Sequence, residues 1–320
     1  MRDIDVVTIG SMMAEISPPE HSQRVTRTES LVIVQAGSAT TFSIAFVRLG
    51  GKLGLISRVG NDEIGAWMRE TLASEGVETS EIRTVQNQLT PVSLASVDAA
   101  GNKAFAYYRF PGFSEPLGTL QERDIPDSYL QRASVFDLTE SSLRTAQSRE
   151  VALTLARRAR DLGCRVCVNP NFRRTAWKGG AEEAAETLRD ALALGTLAVM
   201  NEEEALLISG VFTMDRAVTW IQSEGPDLVA ITRGERPAMI VNRDQVLEIP
   251  VPPTAVVFDI GAGDTFHAGF LVRWCEGAEP TDCARFAIKA AELKIQRPPM
   301  IDQLPTRAEV DRALASDAEA

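Results

Sequence analysis

Short apolar runs alternate with helical patterns along most of this chain, and this alternation constrains the fold more than any other feature. It is clearest in the middle of the sequence, where apolar runs of strand length follow stretches with helical spacing. The predicted helices span residues 150–162, 181–194, 203–208 and 214–223, and the predicted strands span 165–168, 197–200 and 228–232. Repeated strand–helix–strand units predict an α/β protein whose mostly parallel sheet is covered by helices on both faces.

The N-terminal part of the chain follows the same pattern. Residues 1–10 predict a first strand that begins almost at once. In residues 38–49, apolar side chains recur at positions i, i+3, i+4 and i+7, which predicts a helix with one buried face. Residues 64–72 repeat this spacing, and Gly76 follows them as a helix stop.

Two stretches break the alternation. Residues 22–34 are long and strand-like, and residues 91–110 predict a β-hairpin. Antiparallel strands inserted between strand–helix–strand units predict a small β-sheet lid, contributed by about residues 14–35 and 91–112. The sequence holds no internal repeat and no linker, so we expect a single domain over residues 1–320.

The charge balance narrows the range of partners. The 320 residues include 33 Lys and Arg against 44 Asp and Glu, which gives a formal net charge of −11. Nucleic-acid phosphates are bound by an excess of Lys and Arg, so we expect no nucleic-acid partner. The net charge does not speak against a local basic groove. No run approaches the roughly 20 apolar residues of a membrane span, and the acidic N-terminus is unlike a signal peptide. We therefore expect a cytoplasmic protein with no membrane partner.

Four cysteines in a chain of this length are too few for a disulfide framework. Cys164 and Cys167 form a CxxC pair, but the pair lies in a strand-like run and no second pair stands at zinc-finger spacing. Cys275 and Cys283 fall in helical patterns. We expect buried, reduced thiols.

The densest candidate site is the sequence Gly-Ala-Gly-Asp at residues 261–264, which opens a helical pattern. A helix N-terminus of this kind presents a row of backbone N–H groups that can bind an anion. Asp264 would lie beside that anion, where a carboxylate can take a proton from an attacking hydroxyl; alternatively, it is only a favourable partner of the helix dipole. The pattern is neither a Walker loop nor a dinucleotide-binding GxGxxG, and taken alone it is equally consistent with a purely structural turn.

Three further polar clusters follow predicted strands, at residues 169–177, 201–204 and 232–235. The first is rich in Asn and Arg, which can hold a sugar hydroxyl or a carboxylate, or it is a solvated loop. The second is either a plain helix start or a site for a magnesium–phosphate complex held through water. The third can approach phosphates through its backbone. Because the carboxyl ends of parallel strands meet at one edge of a sheet, the clusters together predict a single crevice.

These motifs resemble the ribokinase-like (PfkB) family of carbohydrate kinases, and the Gly-Ala-Gly-Asp cluster is similar to its C-terminal signature. The resemblance runs in family order from residue 6 to about residue 300, so it covers nearly the whole chain. The other matching positions are Gly10-Ser11, Ala36-Gly37-Ser38, Leu49-Gly50-Gly51, residues 59–65, Gly76-Val77, Asn201 with Glu204, and Thr232 with Gly234.

The resemblance implies a three-layer α/β/α sandwich with a mainly parallel central sheet and a small β-sheet lid over the sugar. It also implies an enzyme that transfers the γ-phosphoryl group of ATP to a sugar hydroxyl, with Mg²⁺ as cofactor. Most of the catalysis would then come from positioning and charge stabilisation.

Residue roles follow from the same resemblance. Asp264 would be the general base, and Gly261, Ala262 and Gly263 would form the anion hole for the migrating phosphoryl group. The implied substrate-binding residues are Ser11, Glu15, Gly37, Ser38, Thr41, Tyr107, Arg109, Arg173 and Asp264. The implied nucleotide-binding residues are Asn201, Glu204, Thr232, Arg233, Gly234, Gly261 and Gly263. Asn201 and Glu204 would also organise Mg²⁺, through water.

Five positions depart from the family pattern. Thr41 stands where Asn is usual, Asn169 where Asp is common, and Pro237 and Met300 where Gly is frequent. Asp259 stands one residue closer to the glycines than usual, and a one-residue deletion here would alter the loop and any monovalent-cation site. None of these changes removes the base or the anion hole, so we expect an active kinase with an unusual substrate.

Two features resemble the 2-keto-3-deoxygluconate kinases within the family. One is the Asn-Phe-Arg of residues 171–173 together with Trp177, and the other is the Tyr-Tyr-Arg of residues 107–109 in the lid. Two arginines on opposite sides of a pocket could neutralise the carboxylate of an acid sugar. Fructokinase-like members share the Asn-x-Arg loop, however, and Arg173 could serve phosphoryl transfer instead. We expect 2-keto-3-deoxygluconate as substrate, with a neutral ketose or pentose as the alternative.

Two other classes of protein stay open. The departures at Thr41 and Pro237 and the shortened signature are compatible with a nucleotide- or sugar-binding sensor that has lost catalysis. An NAD(P)-dependent oxidoreductase would also use an α/β sheet, but the missing GxGxxG speaks against it.

The two histidines and the lid tyrosines complete the candidates. His267 follows Asp264 by almost a helical turn, where a pocket-edge or packing role is favoured, and His21 has no partner visible in the sequence. Side chains alternate along a strand, so one of Tyr107 and Tyr108 should face the pocket and the other solvent or a partner subunit. Lids in this family often pair between subunits, so a homodimer through the lid is a further expectation.

Overall fold

The computed structural model describes residues 2–19, 24–97, 103–108, 115–298 and 301–319. The strands are β1 (Ile4–Ile9), β2 (Met13–Ser17), β3 (Val32–Ala36), β4 (Leu53–Gly60), β5 (Ile82–Val85), β6 (Val92–Val97), β7 (Lys103–Tyr108), β8 (Ala133–Thr139), β9 (Arg165–Asn169), β10 (Leu197–Asn201), β11 (Leu228–Arg233), β12 (Arg236–Asn242) and β13 (Val246–Ile249). The α-helices are α1 (Ser38–Arg48), α2 (Glu63–Ser74), α3 (Asp127–Leu130), α4 (Ala146–Asp161), α5 (Gly180–Leu192), α6 (Glu202–Ser209), α7 (Met214–Glu224), α8 (Ala262–Cys275), α9 (Pro280–Ile295) and α10 (Arg307–Glu319). Short 3₁₀ helices lie at Val25–Arg27, Pro116–Thr119, Glu122–Asp124, Glu140–Ser142, Arg174–Ala176 and Ile301–Gln303.

Within the described residues, nine strands form one large sheet in the order β13-β12-β11-β10-β9-β8-β1-β4-β5. Neighbouring strands are parallel except at one edge, where β12 pairs antiparallel with both β11 and β13. In this sheet, β4 and β5 lie on one side of β1, and β8 to β11 lie on the other. The strand order therefore reverses at β1. Where the strand order reverses in this way, a crevice opens at the carboxyl ends of the strands, and ligands bind there in open α/β sheets.

Both faces of the large sheet are buried, which explains why its strands are nearly continuous apolar runs. Val6 and Val7 of β1 are fully buried on opposite faces, because successive side chains of a strand alternate. Val6 belongs to the hydrophobic cluster that includes side chains of α1, α2, α8, α9 and α10, and Val7 to the one that includes α4, α5, α6 and α7. Helices therefore cover both faces, and the predicted α/β layering is confirmed.

A separate small sheet of four strands, counted within the described residues, has the order β3-β2-β6-β7. Strands β6 and β7 form the predicted antiparallel hairpin, and β2 joins it parallel to β6 and antiparallel to β3. The hairpin turn at 98–102 lies outside the described residues. We call this small sheet the lid.

The prediction of one long strand over residues 22–34 is wrong. Val25–Arg27 is a 3₁₀ helix without buried residues, and the strand begins only at Val32. The reason is the length of the neighbouring strand, since β2 ends at Ser17, which pairs with Val32. Residues further from the hairpin have no strand to pair with. Residues 20–23, with His21, lie outside the described residues.

All four cysteines are free thiols, as predicted. Cys164, Cys167 and Cys283 are buried, whereas Cys275, the last residue of α8, is only half-buried. Among the described helices, none has the length and apolar character needed to cross a membrane.

Candidate active site

Three cavities adjoin one another along the carboxyl edge of the large sheet. The lid-side cavity, of about 110 Å³, is lined by the lid and by the N-terminal residues of α1 and α8. The central cavity, of about 390 Å³, shares Gly261 and Asp264 with it. The outer cavity, of about 370 Å³, shares Thr232 and Gly263 with the central one. The predicted strand-end clusters therefore do converge on one continuous crevice.

Asp264 lies in the first turn of α8, where the lid-side and central cavities meet, and it is 8% exposed. Ser38 Oγ donates to Asp264 Oδ1 over 2.5 Å, and Asn171 Nδ2 donates to the same oxygen over 2.7 Å. In the described part of the chain, Oδ2 has no hydrogen-bond partner. Burial raises the pKa of Asp264, and the Ser38 hydrogen bond and the charge of Arg173 offset part of that rise. A carboxylate anchored through one oxygen, with a raised pKa, is suited to accept a proton through the other.

Asn171 is a site residue that the sequence placed only in a sugar-binding loop. Its φ of 37° lies in the left-handed region, which Asn tolerates better than most residues. This conformation lets Nδ2 reach both Ser38 Oγ, at 2.6 Å, and Asp264. The Asn/Arg-rich loop was the signal in the sequence, but the contact with Asp264 depends on the tertiary structure.

The glycine turn opens α8 as predicted. Gly261 has a left-handed φ of 85° and caps the helix. Ala262 N–H donates to the carbonyl of Asp259 over 3.1 Å, so this amide is already occupied and does not extend the predicted anion hole. Among the described residues, the N–H groups of Gly261 and Gly263 have no acceptor, and a Cβ on Gly263 would meet no atom within 4 Å. Of the three amides of the predicted anion hole, those of Gly261 and Gly263 are thus available to a ligand.

Lys294 of α9 is a second residue that the sequence analysis missed. It is 5% exposed, lines the lid-side cavity and donates through Nζ to the carbonyl of Phe258 over 2.9 Å. Its Cε lies 3.6 Å from the position that a Cβ on Gly261 would take. The signal was the lysine on the buried stripe of a helix, since Ala287 and Ala290 precede it at helical spacing and are fully buried. Lys294 brings a positive charge to the glycine turn.

The lid contributes a row of four side chains that stand in register across its strands. The row consists of Val34, Glu15, Ser93 and Tyr107, and all four line the lid-side cavity. Glu15 is 8% exposed, and burial raises its pKa to about 7. Tyr107 is thus the tyrosine that faces the pocket, whereas Arg109 lies outside the described residues.

The start of α1 completes the lid-side wall with Gly37, Ser38 and Thr41. Ser11 is different, because it does not line any of the three cavities as the described residues form them. Its hydroxyl donates to Glu115 Oε2 over 3.4 Å, and its N–H donates to Ser141 Oγ over 3.0 Å. The hydroxyl and the N–H group of Ser11 are thus directed at Glu115 and Ser141 rather than at the lid-side cavity.

Asn201 and Glu204 form a capping box at the start of α6, and both line the central cavity. Glu204 is 3% exposed, and its Oε1 and Oε2 accept the backbone N–H groups of Phe172 and Asn201 over 2.7 and 2.9 Å. Burial raises the pKa of Glu204 to about 7, against the effect of these hydrogen bonds. Because both carboxylate oxygens already accept hydrogen bonds, this pair suits a cation held through water better than one bound directly.

The outer cavity carries the remaining nucleotide candidates. Thr232 lies between the central and outer cavities, and Arg233 and Gly234 line the outer one. Arg233 is held by Pro237, whose carbonyl accepts from Nε over 2.6 Å, and by an ion pair with Glu248 at 2.6 Å. Five large apolar side chains form one part of the wall, namely Val251, Val256, Phe266, Ile288 and Ile295. Such a wall suits a flat aromatic ring.

Arg173 and Trp177, from the same loop, have different positions. Arg173 lines both the lid-side and the central cavity, and its charge lowers the pKa of Asp264 and of Glu204. Trp177 is 5% exposed and donates its indole N–H to Glu140 Oε1 over 2.5 Å. Trp177 therefore lies behind the walls of the cavities that the described residues form, and it does not line them.

His267 lies in the core, as the packing interpretation predicted. It is fully buried, its ring stacks on Phe42 at 4.3 Å between centroids, and Nε2 lies 3.2 Å from Asp137 Oδ1. Cys167 Sγ is 3.5 Å from the same nitrogen. His267 therefore does not line any of the three cavities that the described residues form.

Comparison with known proteins agrees with this geometry. A family model described as "pfkB family carbohydrate kinase" matches residues 3–307. The chain is 31% identical over 256 residues to a fructokinase of Klebsiella pneumoniae, which covers 78% of this chain and 80% of that protein. It is 26% identical over 320 residues to the 2-dehydro-3-deoxygluconokinase of Bacillus subtilis, covering 98% and 96% of the two chains. A crystal structure described as a ribokinase II of Escherichia coli, in complex with ATP and Mg²⁺, superposes with a TM-score of 0.86 at 22% identity, covering 98% of this chain and 99% of that one.

Proposed function

Since the chain belongs to the pfkB family of carbohydrate kinases, we propose that it transfers the γ-phosphoryl group of ATP to a hydroxyl of an acidic sugar, 2-keto-3-deoxygluconate. One observation carries the proposal: Asp264 lies where the lid-side and central cavities meet. A sugar in the first cavity and a triphosphate in the second would meet at its unpartnered oxygen.

The residues present fit ATP and Mg²⁺. The N–H groups of Gly261 and Gly263 have no acceptor among the described residues, and the space beyond Gly263 is open, which suits a phosphate group. The outer cavity offers an apolar wall for the adenine ring. Asn201 and Glu204 would hold Mg²⁺ through water, and the ion would supply charge neutralisation for the phosphates.

The proposed chemistry follows from the hydrogen bonds of Asp264. Ser38 and Asn171 fix Oδ1, so that Oδ2 would accept the proton of the attacking sugar hydroxyl. The glycine amides and Lys294 would stabilise the negative charge on the phosphoryl group as it moves. Most of the rate enhancement would come from this alignment and from charge stabilisation.

Two observations support an acidic sugar. The described residues that line the lid-side cavity include three cations against two carboxylic acids, which suits an anionic sugar. The 2-dehydro-3-deoxygluconokinase relative matches 98% of this chain.

The alternative is a neutral sugar such as fructose. Glu15 favours it, because a buried carboxyl in the lid-side cavity can exchange hydrogen bonds with sugar hydroxyls. The higher identity to the Klebsiella fructokinase supports the same alternative. The cytoplasmic location, a homodimer through the lid and a monovalent-cation requirement stay predictions.

The test is ADP release by the purified protein with Mg²⁺-ATP and a panel of 2-keto-3-deoxygluconate, fructose, ribose, tagatose and a nucleoside. We expect turnover with the acid sugar and a 10²- to 10⁴-fold lower kcat for Asp264→Asn, with ATP binding retained. Asp282→Asn is the matched control, since Asp282 also lies in a first helical turn but its side chain is 54% exposed.

Each outcome has a distinct meaning. Turnover with a neutral sugar alone would replace the substrate and keep the mechanism. A near-normal rate for Asp264→Asn would exclude Asp264 as the base. No turnover with any sugar of the panel, with ATP binding retained, would favour a binding protein that has lost catalysis.

A further inference from the structure

The lid-side cavity is more cationic than the protein as a whole. The chain has a formal net charge of −11, yet the described residues that line this cavity include three cations and two carboxylic acids. The cations are Arg144, Arg173 and Lys294, and the acids are Glu15 and Asp264. An acidic protein that concentrates positive charge in one cavity has a site suited to an anion.

Two of these cations lie at the phosphoryl end of the cavity. Lys294 is beside Gly261, and Arg173 also lines the central cavity. Phosphoryl transfer therefore accounts for both. Arg144 lines only the lid-side cavity, and it lies close enough to Tyr107 of the lid to interact with it electrostatically. Its position is at the sugar end, where phosphate chemistry does not explain it.

A buried support holds Arg144 in place. Arg144 Nε and Nη2 lie 2.7 and 2.6 Å from Glu140 Oε2, and the side chain of Glu140 is 1% exposed. The other oxygen of Glu140 accepts the indole N–H of Trp177. In the described part of the chain, Nη1 of Arg144 has no hydrogen-bond partner. The guanidinium is thus fixed along one edge, while the other edge is available to the cavity.

The acids near Arg144 stand outside the cavity wall. Glu140 and Glu115 both raise the pKa of Arg144 against the opposite effect of burial, so the guanidinium stays charged. Neither acid is among the residues that line the lid-side cavity. A ligand in that cavity would therefore meet the cation directly.

We propose that Arg144, held by Glu140 and Trp177, recognises the carboxylate of the acidic sugar and is the residue that sets the preference for an acid over a neutral sugar. This inference rests on the proposed function. A guanidinium edge binds a carboxylate through charge-assisted hydrogen bonds, whereas a hydroxymethyl group at the same position offers only neutral ones. Trp177 and Glu140 are positioning residues in this arrangement.

The test compares 2-keto-3-deoxygluconate with 3-deoxyfructose, which carries a hydroxymethyl group in place of the carboxylate. The readout is the ratio of kcat/KM for the acid to that for the neutral sugar, together with calorimetric binding of each sugar. We expect Arg144→Gln to lower the ratio about 10- to 100-fold, mainly through KM for the acid. Arg157→Gln on α4 removes the same charge from an exposed position and should leave the ratio unchanged.

A second variant guards against misfolding, because Arg144→Gln leaves the Glu140 charge buried without its partner. The double variant Glu140→Gln/Arg144→Gln removes both charges and keeps an acceptor for Trp177, so its ratio should fall as in the single variant. Arg144→Lys keeps the charge without the planar edge and should restore part of the ratio.

The outcomes separate this inference from the proposed function. Equal losses for both sugars, or a wild-type protein that phosphorylates only the neutral sugar, would overturn the role of Arg144 and leave the kinase assignment intact. Arg144-dependent binding of the acid without phosphorylation would support the inference and contradict the proposed transfer. Absence of both binding and turnover would overturn both.

Discussion

Ser38 Oγ lies 2.5 Å from Asp264 Oδ1, although 226 positions separate the two residues in the chain. Ser38 opens α1 and Asp264 lies in the first turn of α8, so the hydrogen bond joins two helix N-termini beside the crevice. It also opposes the rise that burial causes in the pKa of Asp264. The orientation and the basicity of the proposed base thus depend on the same contact.

Replacing Ser38 with Ala should lower kcat about tenfold, because the carboxylate of Asp264 loses one of its two anchors. The pKa of Asp264 should rise further, so the acid limb of the pH–rate profile should move to higher pH. Steady-state rates between pH 5 and 9 would measure both effects. Ser43→Ala is the control, since Ser43 also lies on α1 but donates to the carbonyl of Ala39. An unshifted acid limb would contradict the role of this hydrogen bond.

The two glycines of the turn should respond differently to alanine. Gly263→Ala should leave the free energy of unfolding within about 0.5 kcal/mol of wild type, because the new methyl group points into open space, and should strongly reduce turnover by filling the phosphate site. Gly261→Ala should cost about 1–2 kcal/mol, because a φ of 85° is strained for alanine. Urea unfolding and ATP-dependent rates would separate these effects. Normal activity of Gly263→Ala would exclude the proposed phosphate site.

Glu15 should make the protein less stable as pH rises. Its pKa is about 7 in the folded chain and 4.5 when unfolded, so the folded state binds more protons between these values. The free energy of unfolding should therefore fall from pH 4.5 to pH 7 and then level off, and Glu15→Gln should remove up to about 3 kcal/mol of this decline. Urea titrations of both proteins at pH 5 and pH 8 provide the measurement. A difference between the two proteins that is independent of pH would contradict the prediction.

The buried pair of Asp137 and His267 should contribute to stability more than to chemistry. Both side chains are fully buried, and Thr8 Oγ1 donates to Asp137 Oδ2 over 2.7 Å. Replacing Asp137 with Asn or His267 with Asn should each cost about 1–3 kcal/mol, because each change alters the polar surroundings of a fully buried side chain. A double-mutant cycle in urea should show that the double variant costs less than the sum. Additive losses would show that the two residues do not interact.

The periodicity of the sequence determined the architecture. A buried parallel strand is apolar on both of its faces, whereas a helix that covers the sheet is apolar on one face. Each pattern can be recognised within a short stretch of sequence, so α1, α2, β9 and β10 were predicted close to their observed bounds. The glycine turn before Asp264 and the polar clusters after the strands were also local signals. The convergence of the clusters followed from the rule that parallel strands end at the same edge.

Only the tertiary structure decided which side chains complete the site. Lys294 and Arg144 reach the lid-side cavity because α9 and the segment after β8 pack against it, and no spacing in the sequence encodes that packing. Ser11 and the amide of Ala262 are turned away by hydrogen bonds to Glu115 and to Asp259. Strand β3 starts late because β2 ends at Ser17. Short-range sequence patterns determine the individual helices and strands. Contacts between residues distant in the chain depend on how those helices and strands pack, and their packing depends on all the side chains of the core together.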